Sequence, residues 1–590
     1  MKRLVLCLFV ALCCCSVASA IPAYRGLIKY TQPDGSVIMI RMHGDEFCHW
    51  VTDDSGNVIE LDDEGYYRPA SASQLRARRA AGNIRRQAMN EARKNAALRS
   101  GGAIGQKHYL VILVEFSDVH FSYSKSDFEA LLNAENYTVN GGTGSARKFY
   151  MENSHNAFEP IFDVYGPVTL DNNQAYYGGN KNNVQGNDQR PRNAVSEGCQ
   201  KINSQFDVDF SQYDGDGDGY VDLVFMYYAG KGEADGGGAN CIWPHQWNLA
   251  SALTLDGTKV YTYACTNEIV SYGELTNKLC GIGTACHEFG HAMGLPDFYD
   301  TDYDDYNGEA GGLYDYSTMC GGSYNNDGRT PPYFNMEERI MLGWLEESAI
   351  TTISSSGNYT LTSVNNNVAY KTPTETEGEY FLYECRSKTG WDIGIPEDGL
   401  IVYHVDKSSR PVTIMGSSEN IQVEASELWS NWGAYNSINE NGEHPCFYVV
   451  PAGGQSNLNY SGSKFAFPGA AKKYSFTGTS WNGVESSVKL SNISYSGGTV
   501  SFYAEAPSME LNYNVIANPS GDGVYHAGDS FALTLSESEA QPVSSVQWYM
   551  DDEPLTGSSV TLPAGTHVIE AHITLTTGET KIVELTVVAQ

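Results

Sequence analysis

The spacing of apolar residues changes several times along the chain, and each change predicts a different kind of element. Residues 4–15 form a short apolar run that follows Lys2 and Arg3 and closes on Ala18, Ser19 and Ala20. This is the pattern of a secretory leader cut after Ala20, and the run is shorter than the ~20 residues needed to cross a bilayer. Continuous apolar stretches at 108–116 and 221–228 read as strands buried on both faces, with helical spacing between them at 128–133 and 145–154. An α/β domain is therefore expected over 105–345. Residues 346–506 carry short alternating runs such as 487–490 and 499–503 among Gly, Ser, Asn and Tyr, which predicts a β-rich domain. Alternating strands continue through 507–590, and Trp548 within one of them suggests an immunoglobulin-like β-sandwich. The fold class expected is a multidomain α+β chain.

Length agrees with this division, since 590 residues at ~150 per domain make about four folding units. With 41% hydrophobic and 18% charged residues the chain is globular, and a net charge of -34 makes nucleic acid a poor partner. That charge is unevenly placed. Residues 21–99 hold a small excess of Lys and Arg, and Arg76, Arg78, Arg79, Arg85, Arg86 and Arg93 crowd an Ala-rich stretch that reads as a basic helix or connector open to proteases. Between a leader and a new buried strand, residues 21–104 are expected to be a pro-segment. Of 13 cysteines, Cys7, Cys13, Cys14 and Cys15 fall in the leader, and no CxxC pair of a structural zinc site occurs after it. Cys48, inside the pro-segment, is a candidate thiolate for blocking a metal, weighed against ordinary core packing.

The densest chemistry is at residues 287–297. His287 and His291 stand four apart, so on a helix both imidazoles reach one zinc. Glu288 lies beside the metal, where a carboxylate can activate zinc-bound water and return its proton to a leaving amine. Gly294 permits a reversal that brings Asp297 in as the third ligand, leaving the fourth position open for catalysis. Some twenty residues on, Met319 sits in Tyr316-Ser-Thr-Met-Cys-Gly-Gly-Ser-Tyr324. That segment is similar to the Met-turn of metzincins, in which a methionine floors the metal site.

Together with Trp243-Pro-His-Gln-Trp247, Gly399-Leu-Ile-Val-Tyr-His-Val-Asp406 and Phe467-Pro-Gly469, these segments resemble the immune inhibitor A family of secreted zinc metalloproteases over roughly 105–505. The resemblance implies a metzincin-like α/β catalytic domain, zinc on His287, His291 and Asp297, and Glu288 as catalytic base.

A second ion site is expected at Asp214-Gly-Asp-Gly-Asp-Gly-Tyr-Val-Asp222. Asp214, Asp216, Asp218 and Asp222, with the Tyr220 carbonyl, match the start of a calcium loop, although Phe225 stands where an EF-hand has its bidentate Glu. His404 and Asp406 are candidates for a further ion, against the commoner structural role of a histidine at a strand end. The expected function is a secreted zinc endopeptidase, made as a zymogen and acting on protein or peptide substrates, with calcium as structural ion. It has no transmembrane span, and its last β domain is available for cell-surface or glycan contact. The competing readings are a non-catalytic adhesin or glycan-binding protein with a vestigial zinc site, and another zinc hydrolase such as an amidase.

Overall fold

The computed structural model describes residues 21–62, 64–93, 103–181, 188–302, 308–416, 419–454, 464–506, 513–517, 524–537, 543–575 and 580–590. Residues up to 506 make one compact unit, and 507–590 a second. The leader expected at 1–20 lies outside the described residues. Among those described, no helix is long and apolar enough to cross a membrane.

The first unit begins with an antiparallel meander, β1 (Leu27–Thr31), β2 (Val37–Gly44), β3 (His49–Asp53), β4 (Val58–Leu61) and β5 (Tyr67–Pro69), followed by the arginine-rich helix α1 (Ala72–Arg93). The expected buried strands are β6 (Gly105–Glu115) and β8 (Val224–Lys231). With β7 (Phe158–Thr169), β9 (His245–Leu255) and β10 (Thr258–Ile269) they form a sheet in the order β7-β6-β8-β10-β9. Four strands run parallel and β9 is an antiparallel edge. Alternation along β6 separates two cores: Tyr109, Val111 and Leu113 face one, Leu110, Ile112 and Val114 the other. Helices α2 (Lys125–Asn133), α3 (Ala146–Asn153) and α6 (Gly283–Met293) pack on the first face, and α5 (Pro191–Gln205) on the second, after the short α4 (Gln174–Gly178).

The region after 345 is not a loosely tethered module. In strands Glu379–Arg386 and Gly399–Asp406 every residue is buried. Leu382, Ile401 and Tyr403 join the first core, with Tyr109, Val111 and Leu113, whereas Phe381, Leu400 and Val402 pack against a four-stranded sheet behind them. Ile21, Ala23, Ile40 and Trp50, from the N-terminal region, belong to that same first core. The second unit has two antiparallel sheets, of three and four strands, with Trp548 in the core they share.

Candidate active site

Helix α6 is buried along almost its whole length and ends on Gly294, whose φ of 112° and N–H to the Gly290 and His291 carbonyls make the left-handed cap that a side chain would resist. The reversal delivers Asp297. His287 and His291 approach each other to 3.1 Å between Nε2 atoms, and Asp297 Oδ1 is 3.3 Å from both. A tetrahedral zinc with ~2.0–2.1 Å bonds places its ligand atoms ~3.3–3.4 Å apart, so this triangle has the dimensions to hold one ion. Asp297 Oδ1 is buried and accepts no hydrogen bond among the described residues, as a ligand atom would.

Both rings are aimed from behind. Nδ1 of His287 lies 2.8 Å from the Thr318 carbonyl and Nδ1 of His291 2.9 Å from the Leu295 carbonyl, so each Nδ1 carries the proton and each Nε2 keeps a lone pair for a metal. The other oxygen of Asp297 accepts from Asn436 Nδ2 at 2.7 Å, and Asn436 Oδ1 accepts from the Asp297 N–H at 2.9 Å. Burial works to raise the Asp297 carboxyl, but the two imidazoles overcome it and hold the group below the usual carboxylate range. Burial lowers His291.

Glu288 is fully buried. Its Oε1 accepts the backbone N–H of Ile21 at 2.8 Å, while Oε2 has no partner among the described residues. Burial, with Asp297 and Glu46 close by, pushes its carboxyl well above the ordinary value, against the lowering effect of the Ile21 N–H. Met319 is also fully buried, and its sulfur lies 2.5 Å from where a Cβ on Gly290 would stand, so the glycine within the motif is needed for the methionine to pack under the helix.

The N-terminal residues from Ile21 lie across this site. Beyond Ile21 the chain is gripped by its main chain: the Trp243 indole N–H donates to the Ile21 carbonyl at 3.0 Å, the Tyr324 hydroxyl donates to the Pro22 carbonyl at 2.8 Å, and the Tyr24 N–H donates to the Ala234 carbonyl at 3.1 Å. Cys48 is not at the metal cluster. It packs against α1 at Gly82, and burial pushes its thiol up to about 11. The group of the N-terminal meander near the site is instead Glu46, whose buried Oε2 has no partner among the described residues.

At the other predicted site, Asp214, Asp216 and Asp218 bring carboxylate oxygens within 4.8 Å of one another. Tyr220 gives its N–H to Asp218 at 2.8 Å. Asp222 turns away, accepting the Gly215 N–H at 3.2 Å and facing Lys107 at 3.8 Å. His404 is bonded to Glu379 and Tyr448, and Asp406 to His444 and Arg410, so the structure shows ion-pair partners for both. All nine described cysteines are buried and none is bridged.

Residues 96–339, which contain the whole histidine–aspartate triangle, match the family described as immune inhibitor A peptidase M6, catalytic domain. This region is therefore similar to M6 peptidase catalytic domains. The pre-pro-metalloprotease PrtV of Vibrio cholerae is 29% identical over 239 residues, covering 34% of this chain and 26% of that protein. Immune inhibitor A of Bacillus thuringiensis subsp. alesti is 27% identical over 278 residues, 40% of each chain. The match to these relatives thus spans less than half of their length. The fibronectin(III)-like modules of Clostridium thermocellum CbhA align with 13% of this chain and 96% of theirs at 14% identity, with a TM-score of 0.12 that has no bearing on the fold. Sequence reasoning missed Ile21, Glu46 and Asn436 around the histidine–aspartate site, because no local pattern links them to the motif.

Proposed function

We propose that the chain is a secreted zinc endopeptidase whose pro-segment fills its own cleft. The observation that carries the reading is the triangle of His287, His291 and Asp297 with Glu288 one residue along the same helix. Zinc, when bound, supplies Lewis acidity toward the scissile carbonyl and makes a water molecule a stronger acid. Glu288 holds the proton at its carboxylate and hands it to the leaving amine. The Ile21 N–H, donating to Glu288 Oε1, occupies the position of such an amine. Met319 serves as the floor of the metal site in the manner of a Met-turn.

The grip on the main chain of Ile21, Pro22 and Tyr24 favours a peptide over a small amide as substrate, since extended backbone is what the cleft already binds. An adhesin with a vestigial centre has no use for an intact donor set with both histidines oriented. Asp214, Asp216 and Asp218 hold calcium as a structural ion, and 507–590 is an immunoglobulin-like domain suited to surface or glycan contact. The test is hydrolysis of denatured casein by the protein freed of its pro-segment. Cleavage that stops on adding a zinc chelator and returns with zinc is expected; cleavage indifferent to the chelator would contradict the reading.

A further inference from the structure

A second group of buried carboxylates adjoins the cleft. Glu233, 2% exposed, follows β8, and its Oε1 accepts from Asn180 Nδ2 at 2.9 Å. Asp188 accepts the Trp243 N–H at 2.9 Å through Oδ2. Glu233 Oε2 and Asp188 Oδ1 are both buried without a hydrogen-bond partner among the described residues. Burial, and then Glu233 itself, raise the Asp188 carboxyl well above its ordinary value, as two acids that face each other do.

What fills this place is a basic side chain of the pro-segment. His49, 2% exposed, sets Nε2 3.3 Å from Glu233 Oε1 and stacks its ring on the Trp243 indole at 4.7 Å between centroids. Trp243 also ties the place to the chemistry: its indole N–H holds the carbonyl of Ile21, whose N–H is on Glu288. With His49 gone, the two carboxylates and the indole face would be left for another side chain to take.

We infer that Asp188, Glu233 and Trp243 form a specificity pocket for a basic side chain of the substrate, which His49 plugs in the uncut chain. A guanidinium suits it best, since it can lie flat on the indole while its N–H groups reach both carboxylates. The inference rests on the peptidase reading for its site but is tested apart from it.

The protein carrying Glu288→Ala, freed of its pro-segment by limited proteolysis, is titrated with neutral hexapeptides in which arginine or its uncharged isostere citrulline is scanned through each position. At one position arginine should bind at least ~30-fold more tightly than citrulline, the scale of leaving a buried charge unpaired. Glu233→Gln, and separately Asp188→Asn in case the first variant folds poorly, should erase most of that difference while leaving the citrulline peptide's affinity unchanged. Equal binding of the two peptides at every position, or discrimination that survives both variants, overturns the pocket. Discrimination in this protein, combined with no cleavage by the Glu288 form, would overturn the peptidase reading and leave the pocket standing.

Discussion

The backbone N–H of Ile21 donates to Glu288 Oε1 across 267 residues of sequence, so one oxygen of the glutamate between the two histidines is taken by the chain's own backbone. Its neighbours Pro22 and Tyr24 extend along the cleft through main-chain hydrogen bonds. A substrate could not bind there at the same time.

Latency follows from this contact. Protein beginning at Ile21 and uncut between α1 and β6 should be silent toward casein, and deletion of residues 21–93, which takes Ile21, Glu46 and His49 away together, should release activity. Cys48→Ser should leave latency intact, because that side chain packs on Gly82 and not at the metal. Activity in the uncut chain, or latency surviving the deletion, would contradict the arrangement.

Asn436 should matter for metal affinity although it lies far along the chain in the β-rich region. It both donates to Asp297 Oδ2 and accepts the Asp297 N–H. Outer partners of this kind are worth ~10–100-fold in metal affinity, so Asn436→Ala should weaken zinc by that order in a chelator competition. Asp297→Ala should lose the zinc altogether.

These two residues mark the limit of what could be read from the chain. His287 and His291 were legible because helical geometry puts positions four apart on one face, and Asp297 because Gly294 announces the turn that delivers it. Asp214, Asp216 and Asp218 were legible as a local repeat, yet Asp222 in the same run turns to Gly215 and Lys107. Ile21 and Asn436 reach the site only through tertiary packing. The alternating runs at 487–490 and 499–503 spoke for a β-rich region without revealing that the strands at 379–386 and 399–406 are buried on both faces, which is why the α/β and β-rich regions share a core.

The acidic loop predicts a calcium-dependent melting temperature. With three carboxylates gathered within 4.8 Å, an ion that binds only the folded state adds stability, and its removal takes that stability away. Chelation should lower the melting temperature, and Asp216→Asn with Asp218→Asn should abolish the response. An unchanged response in the double variant would place any calcium elsewhere.

Asp235 gives a pH prediction. Burial raises its carboxyl from the ordinary 3.8 to about 7, so between those values the folded state keeps a proton that the unfolded state has lost. This group's contribution to stability therefore falls as pH rises through that window and levels off above it. Asp235→Asn cannot ionise, so its melting temperature should gain on that of the parent from pH 4 to pH 7. A constant difference across the range would contradict the assignment.

The most direct test of the account is Glu288→Ala in protein freed of its pro-segment, with bound zinc and casein hydrolysis measured on the same samples. Glu288 is outside the ligand triangle and supplies the proton acceptor, so zinc content should match the parent while the rate falls at least ~100-fold. A variant that cuts casein as fast as the parent would contradict the mechanism, and one that loses its zinc would move Glu288 from base to ligand.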